Sequence, residues 1–146
     1  MAITQAIANS FKKELLEGEH NFTQTSGDKF KLALYTAGAT LTSATTAYIT
    51  SGEVAASGTY SAGGGALVNG LVSITAGVAR ADFANLSFTG VTLTARGALI
   101  YNTSATATNA AVAVLDFGGD KSATSGTFTI QFPNPTSTAA ILRISG

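Results

Sequence analysis

Apolar and polar positions follow two different periods along this chain, and the change comes near Phe22. From Ile3 onward, large apolar side chains recur at every fourth residue, at Ile7, Phe11 and Leu15, with Ala6 and Leu16 beside them. Lys12, Lys13, Glu14 and Glu17 mark the other side. This spacing predicts an amphipathic helix of about four turns over residues 1–19. Thr4 is its candidate N-cap, and Gly18 suits its C-terminal end. The segment lacks the positive start of a secretory signal and carries charges where the apolar stretch should lie, so it reads as part of the fold.

After Phe22 the period is two. Phe30, Leu32 and Leu34 alternate with smaller or polar neighbours; so do Ala79, Ala81 and Phe83, then Val91 and Leu93, then Phe128, Ile130 and Phe132. Val68, Val72 and Ile74 share a face around Gly70. Each set predicts a half-buried strand. Ala98–Tyr101 and Ala111–Leu115 are apolar on both faces, as in strands covered on both sides. A weaker strand lies near Tyr48, and a last one covers about Ala139 to Ile144. Turn signals separate them: Ser61–Gly65, Asn102–Asn109, Gly118–Gly126, and Pro133 with Pro135.

These elements predict a mainly β protein, a β-sandwich or jelly roll of about eight or nine antiparallel strands with an N-terminal amphipathic helix. It is read as a single domain over residues 1–146, with the helix in 1–19 and the sandwich in 28–146. Phe30, Leu32, Leu34, Leu93, Leu99, Val112, Val114, Phe128 and Ile130 are its expected core. The helix stripe must also be covered, either on the sheet that carries the two apolar runs, which is the preferred placement, or on a partner chain.

Composition sharpens this picture. Ala, Thr, Gly and Ser make up 77 of the 146 residues, yet eight Phe, four Tyr and many aliphatics supply enough apolar surface for a core. Threonine lets a sheet face water without Lys or Glu. Charged residues are only 11% of the chain and balance to zero, which argues against a sequence-independent nucleic-acid binder or an anionic-membrane binder. No apolar run approaches the length of a membrane helix. With no cysteine, thiolate chemistry and disulfides are excluded.

Candidate chemistry is sparse. Asp116-Phe117-Gly118 matches the kinase magnesium tripeptide but stands without the rest of a kinase, and reads as a strand end entering a turn. Gly63–Gly65 and Gly118–Ser122 lack phosphate-loop spacing. Glu17, Glu19 and His20 crowd one helix end, where adjacent residues converge poorly on a metal. Asp116 and Asp120 could form a glycosidase pair, but no aromatic platform accompanies them. The expectation is therefore no enzyme, no catalytic residues, no cofactor and no metal. Arg80, Asp82, Arg96 and Arg143 are the few charges set within strands, and they read either as cross-strand ion pairs or as an interface.

Four segments carry a resemblance: Ile3–Leu16, Phe30–Thr36, Ala95–Asn102 and Ala111–Lys121, in the same order over most of the chain. They resemble a family of small structural proteins of tailed bacteriophages and are similar to capsid decoration or cement proteins. The resemblance implies a virion protein on the capsid exterior, passing through the host cytoplasm during assembly. Its partners would be the major capsid protein and other copies of itself, as a dimer or trimer, and neither nucleic acid nor membrane. Ile3, Ile7, Phe11, Leu15, Arg80, Asp82 and Arg96 are the candidate interface residues. The alternative is a tail-associated or host-adhesion β module that binds surface glycans.

Overall fold

In a computed structural model, which describes residues 2–133 and 140–145, the N-terminal stripe divides between two backbone conformations. Ala6–Ile7 form a short strand, β1, and only Asn9–Leu16 form the helix, α1. The predicted helix over 1–19 is thus corrected to eight residues. The reason is geometric: a spacing of four residues keeps side chains on one face in a strand as well as in a helix. Ile3 and Ile7 take the strand option because the backbone finds partners there. Thr4 N–H donates to the Leu41 carbonyl, and Ala6 and Ile7 pair with Val114 and Ala113. Thr4 is therefore no N-cap; Ala8 holds that position and offers no side-chain cap. The C-terminal end is as expected. Gly18 has φ +78°, Gly18 N–H donates to Leu15 O and Glu19 N–H to Glu14 O, the paired bonds of a Schellman motif.

The remaining strands are β2 (Phe30–Tyr35), β3 (Gly65–Ala66), β4 (Ser73–Thr75), β5 (Val78–Ala81), β6 (Leu86–Asn102), β7 (Ala110–Ile130) and β8 (Leu142–Ile144). They form two antiparallel sheets, ordered β1-β7-β6-β2-β3 and β4-β5-β8, in a mainly β sandwich of eight strands with one short N-terminal helix. β6 and β7 each absorb two predicted strands, giving a hairpin with arms of 17 and 21 residues. Gly118–Gly126, expected to link separate strands, lies within β7. Its glycine turn survives as a bulge: Arg96 alone faces residues 117–120, between the pairs Ala95–Lys121 and Gly97–Asp116. The expected strand near Tyr48 reduces to a single bridge between Ala47 and Ala110.

The hairpin has two regimes. Near its Asn102–Asn109 end, Ala98–Asn102 and Ala110–Val114 are buried on both faces. Toward its open end burial alternates, with Phe88, Val91, Leu93, Phe128 and Ile130 inside. All nine expected core residues are buried. Phe11 is buried too, with α1 packed on β7, and Ile7 and Leu15 are part-buried beside it, so the stripe is covered by its own chain. Val68, Val72 and Ile74 depart from expectation: they are exposed, and only Ser73–Thr75 pair as β4, at the edge of a sheet three strands wide. Ala139 and Pro135 lie outside the described residues.

Gly97 explains itself through space. A Cβ there would meet the Leu115 carbonyl oxygen at 2.5 Å and Ile3 at 2.8 Å, so β6, β7 and the N-terminal segment can approach only a bare backbone. Gly119, in the bulge, has open space around it. We expect Gly97→Ala to destabilise the protein by about 2–4 kcal/mol and Gly119→Ala by less than about 0.5 kcal/mol, as measured by urea unfolding. Equal effects would contradict this packing.

Candidate docking groove

The small sheet and α1 do not close fully on each other. Between them lies an open groove of about 780 Å³, with Phe11, Leu15 and Leu16 of α1 on one wall. Ala79–Ala81 of β5 and Leu142–Ile144 of β8 form the other, and Ile7 and Phe22 line it between them. Phe22 is held by rings: it stacks on Phe30 at 4.5 Å and meets Phe11 at 5.9 Å and Phe83 at 6.1 Å. The lining is thus an extension of the core rather than a separate pocket. Its rim carries Leu16, 91% exposed, Ile144, 59% exposed, and Val72, 47% exposed.

The candidate interface residues are distributed unevenly about it. Ile7, Phe11, Leu15 and Arg80 line the groove. Ile3 is buried elsewhere, bridging to Leu41. Arg80 donates through Nη2 to Ser73 Oγ at 2.8 Å across the β4–β5 pair, while its Nε and the Asp82 Oδ1 are buried without hydrogen-bond partners among the described residues. Neither Arg80 nor Asp82 forms an ion pair among the described residues. Arg96 does, donating Nε to Asp116 Oδ1 at 3.2 Å across the hairpin. The Gly118 N–H bonded to Asp116, and then Arg96, hold that carboxyl below the usual carboxylate range.

The residues singled out for chemistry go separate ways. Glu17 pairs with Lys13, and Glu19 accepts from Thr106 N–H at 2.9 Å. His20 is buried between Glu14 and Asn102. The Asn102 amide is oriented by two bonds, Oδ1 accepting from Ser104 N–H and Nδ2 donating to Asp28 Oδ2. Nδ2 therefore also donates to His20 Nδ1, and Nε2 carries the ring hydrogen to Glu14. Both ring nitrogens are engaged in holding the α1 end to the hairpin. Among the described residues no three His, Asp or Glu side chains gather as a metal site, and no helix is long and apolar enough to cross a membrane.

A second polar cluster was not legible in the sequence. All four tyrosines surround Glu53. Tyr48 and Tyr60 donate to its carboxylate, as does the Gly63 N–H at 2.7 Å. Tyr35 donates to Ile49 O and Tyr101 to Gly63 O, both at 2.6 Å. These bonds pin the long irregular segment between β2 and β3 onto the large sheet, a job that regular pairing does elsewhere. No local pattern announces it, because the partners lie up to 38 residues apart.

No protein-family model, curated protein or solved structure matches the chain.

The tyrosine cluster yields a pH prediction. Burial, followed by the Glu53 interactions, pushes Tyr48 and Tyr101 up to about 12, and Tyr35 and Tyr60 higher still. Unfolded tyrosine ionises near ~10. The raised folded values mean that this stabilisation is complete below ~10 and is lost as pH rises through the folded values. Near-ultraviolet titration of the native protein should show no phenolate forming near pH ~10, and the melting temperature should fall above it. A tyrosine ionising normally in the native state would contradict the cluster.

Proposed function

We propose that the chain is a non-enzymatic virion structural protein of the capsid decoration or cement type, which docks on the major capsid protein lattice and on copies of itself. One observation carries the protein-docking part of this reading. Among the described residues the large apolar side chains left exposed are Leu16, Val68, Leu71, Val72, Ile74 and Ile144, all aliphatic, while every Phe and Tyr is buried or half-buried. Aliphatic patches are matched by another protein's apolar surface. Glycan recognition would instead require exposed ring faces. A depression of about 560 Å³ near Phe117, Phe128 and Phe132 has the last two only 7% exposed, and in the larger groove Phe11 is buried and Phe22 half-buried. The resemblance of the four segments supplies the virion assignment. Depleted charge suits a surface that becomes covered in an assembly.

The mechanism is mechanical. A protein that binds the assembled lattice and not its unfolded or dispersed subunits stabilises the lattice by mass action. Each fully covered Val, Leu or Ile contributes roughly 1.5–3 kcal/mol, so a handful of such contacts per copy, repeated over a shell, is substantial.

The test uses purified particles and the paired substitution Val72→Asp with Ile74→Asp. Both positions are exposed, so the isolated protein should keep its melting temperature while its occupancy on heads falls at least about tenfold. Sedimentation should give a dimer or trimer for the wild type. Retention of the protein in tails only, or its absence from particles, would overturn the reading; glycan-array binding would favour the adhesion alternative.

A further inference from the structure

The charges around the groove specify its occupant. Lys12 of α1 and Arg80 of β5 line it, beside Arg143 of β8, and among the described residues no Asp or Glu does. That bias is local, because the whole chain has eight basic and eight acidic residues. We propose that the groove binds a short segment of a partner protein that combines aliphatic with acidic side chains. The proposal rests on reading the chain as a protein-docking module, and it holds whatever particle the module serves.

Each part of the lining sets a requirement. Phe11, Leu15 and Ile144 offer apolar contact, which calls for aliphatic side chains and for little else. Lys12 and Arg80 form no ion pair among the described residues. An uncharged occupant would strip water from these cations without compensation, and a basic one would be repelled. An acidic one gains charge-assisted hydrogen bonds. Lys12 and Arg80 stand on different elements, so a single carboxylate headgroup on an alkyl chain meets only part of the demand, whereas a peptide can present several carboxylates along its length. A second copy placed about a two-fold axis on the groove would set cations against the same cations. His20 also lines the groove, but both its ring nitrogens are already occupied by Glu14 and Asn102.

The experiment pans a display library of short random peptides against the full-length wild-type protein, then measures synthesised winners by fluorescence anisotropy. Enriched peptides should mix Leu, Ile or Val with several Asp or Glu residues, and their binding should weaken with added salt. Lys12→Glu and Ile144→Asp, both at exposed positions, should each lower affinity about tenfold while leaving the melting temperature unchanged. Arg80→Gln serves as a second groove variant with the same expected direction. Enrichment of basic or acid-free peptides, no enrichment, or binding indifferent to all three substitutions would overturn the proposal. So would saturable binding of oleate in place of peptide, or self-association abolished by Ile144→Asp, which would assign the groove to a fatty acid or to a second copy. Peptide binding through the groove by a protein missing from purified heads would sink the virion reading alone.

Discussion

The β6–β7 hairpin is the constraint on which every other element depends. Its closed end is buried on both faces, so it needs cover from two directions and partners along both edges. β2 pairs along β6 from Phe30 to Tyr35. The opposite edge, on β7, is divided between β1 at Ala113–Val114 and the bridge at Ala110. Buried backbone groups that lack partners are expensive, so this division decides where the N-terminal segment goes. Ile3 and Ile7 are drawn out of a helix because the β7 edge and Leu41 offer backbone bonds that a helical first turn, with its orphan N–H groups, does not. Helix α1 begins only after those bonds are made.

A chain so poor in charge has to satisfy its buried polarity with few groups, and it does so at two places. Glu53 gathers the phenols that fasten the long segment after β2, and Asn102 joins His20 and Asp28 at the closed end of the hairpin. In both, each donor meets an acceptor and the network spans segments distant in sequence. Such networks fix one arrangement of irregular backbone where hydrophobic contact alone would tolerate several. The second network also accounts for a residue that looked like a candidate for chemistry, since His20 works as a structural tie, while Asp116, outside both networks, caps the bulge through the Gly118 N–H.

What is left over is informative because so much has been satisfied. Several unmatched features meet at the groove: aliphatic rims at Leu16, Val72 and Ile144, and cations at Lys12 and Arg80 with no Asp or Glu among the described lining residues. A sheet of three short strands facing an eight-residue helix cannot close completely, and the opening exposes the edge of the core itself. For the proposed partner segment, walls continuous with the core would reduce the entropy lost on binding.

Fold class and interior are legible from the order of residues along the chain. Alternation at Phe30–Leu34, Val91–Leu93 and Phe128–Ile130, and the doubly apolar runs at Ala98–Tyr101 and Ala111–Leu115, name the core because side-chain period and burial are linked locally. The Gly18 helix end was legible for the same local reason. Tertiary structure alone decided the rest. It chose between strand and helix for Ile3 and Ile7, whose spacing fits both, and it carried strand pairing through the Gly118 bulge because β6 continued opposite. It left Val68, Val72 and Ile74 outside because the sheet they border ends there. The groove belongs to this second kind: its walls come from residues 7–23 and 72–81 and from 142–144, and only the packing of sheet on helix brings them face to face.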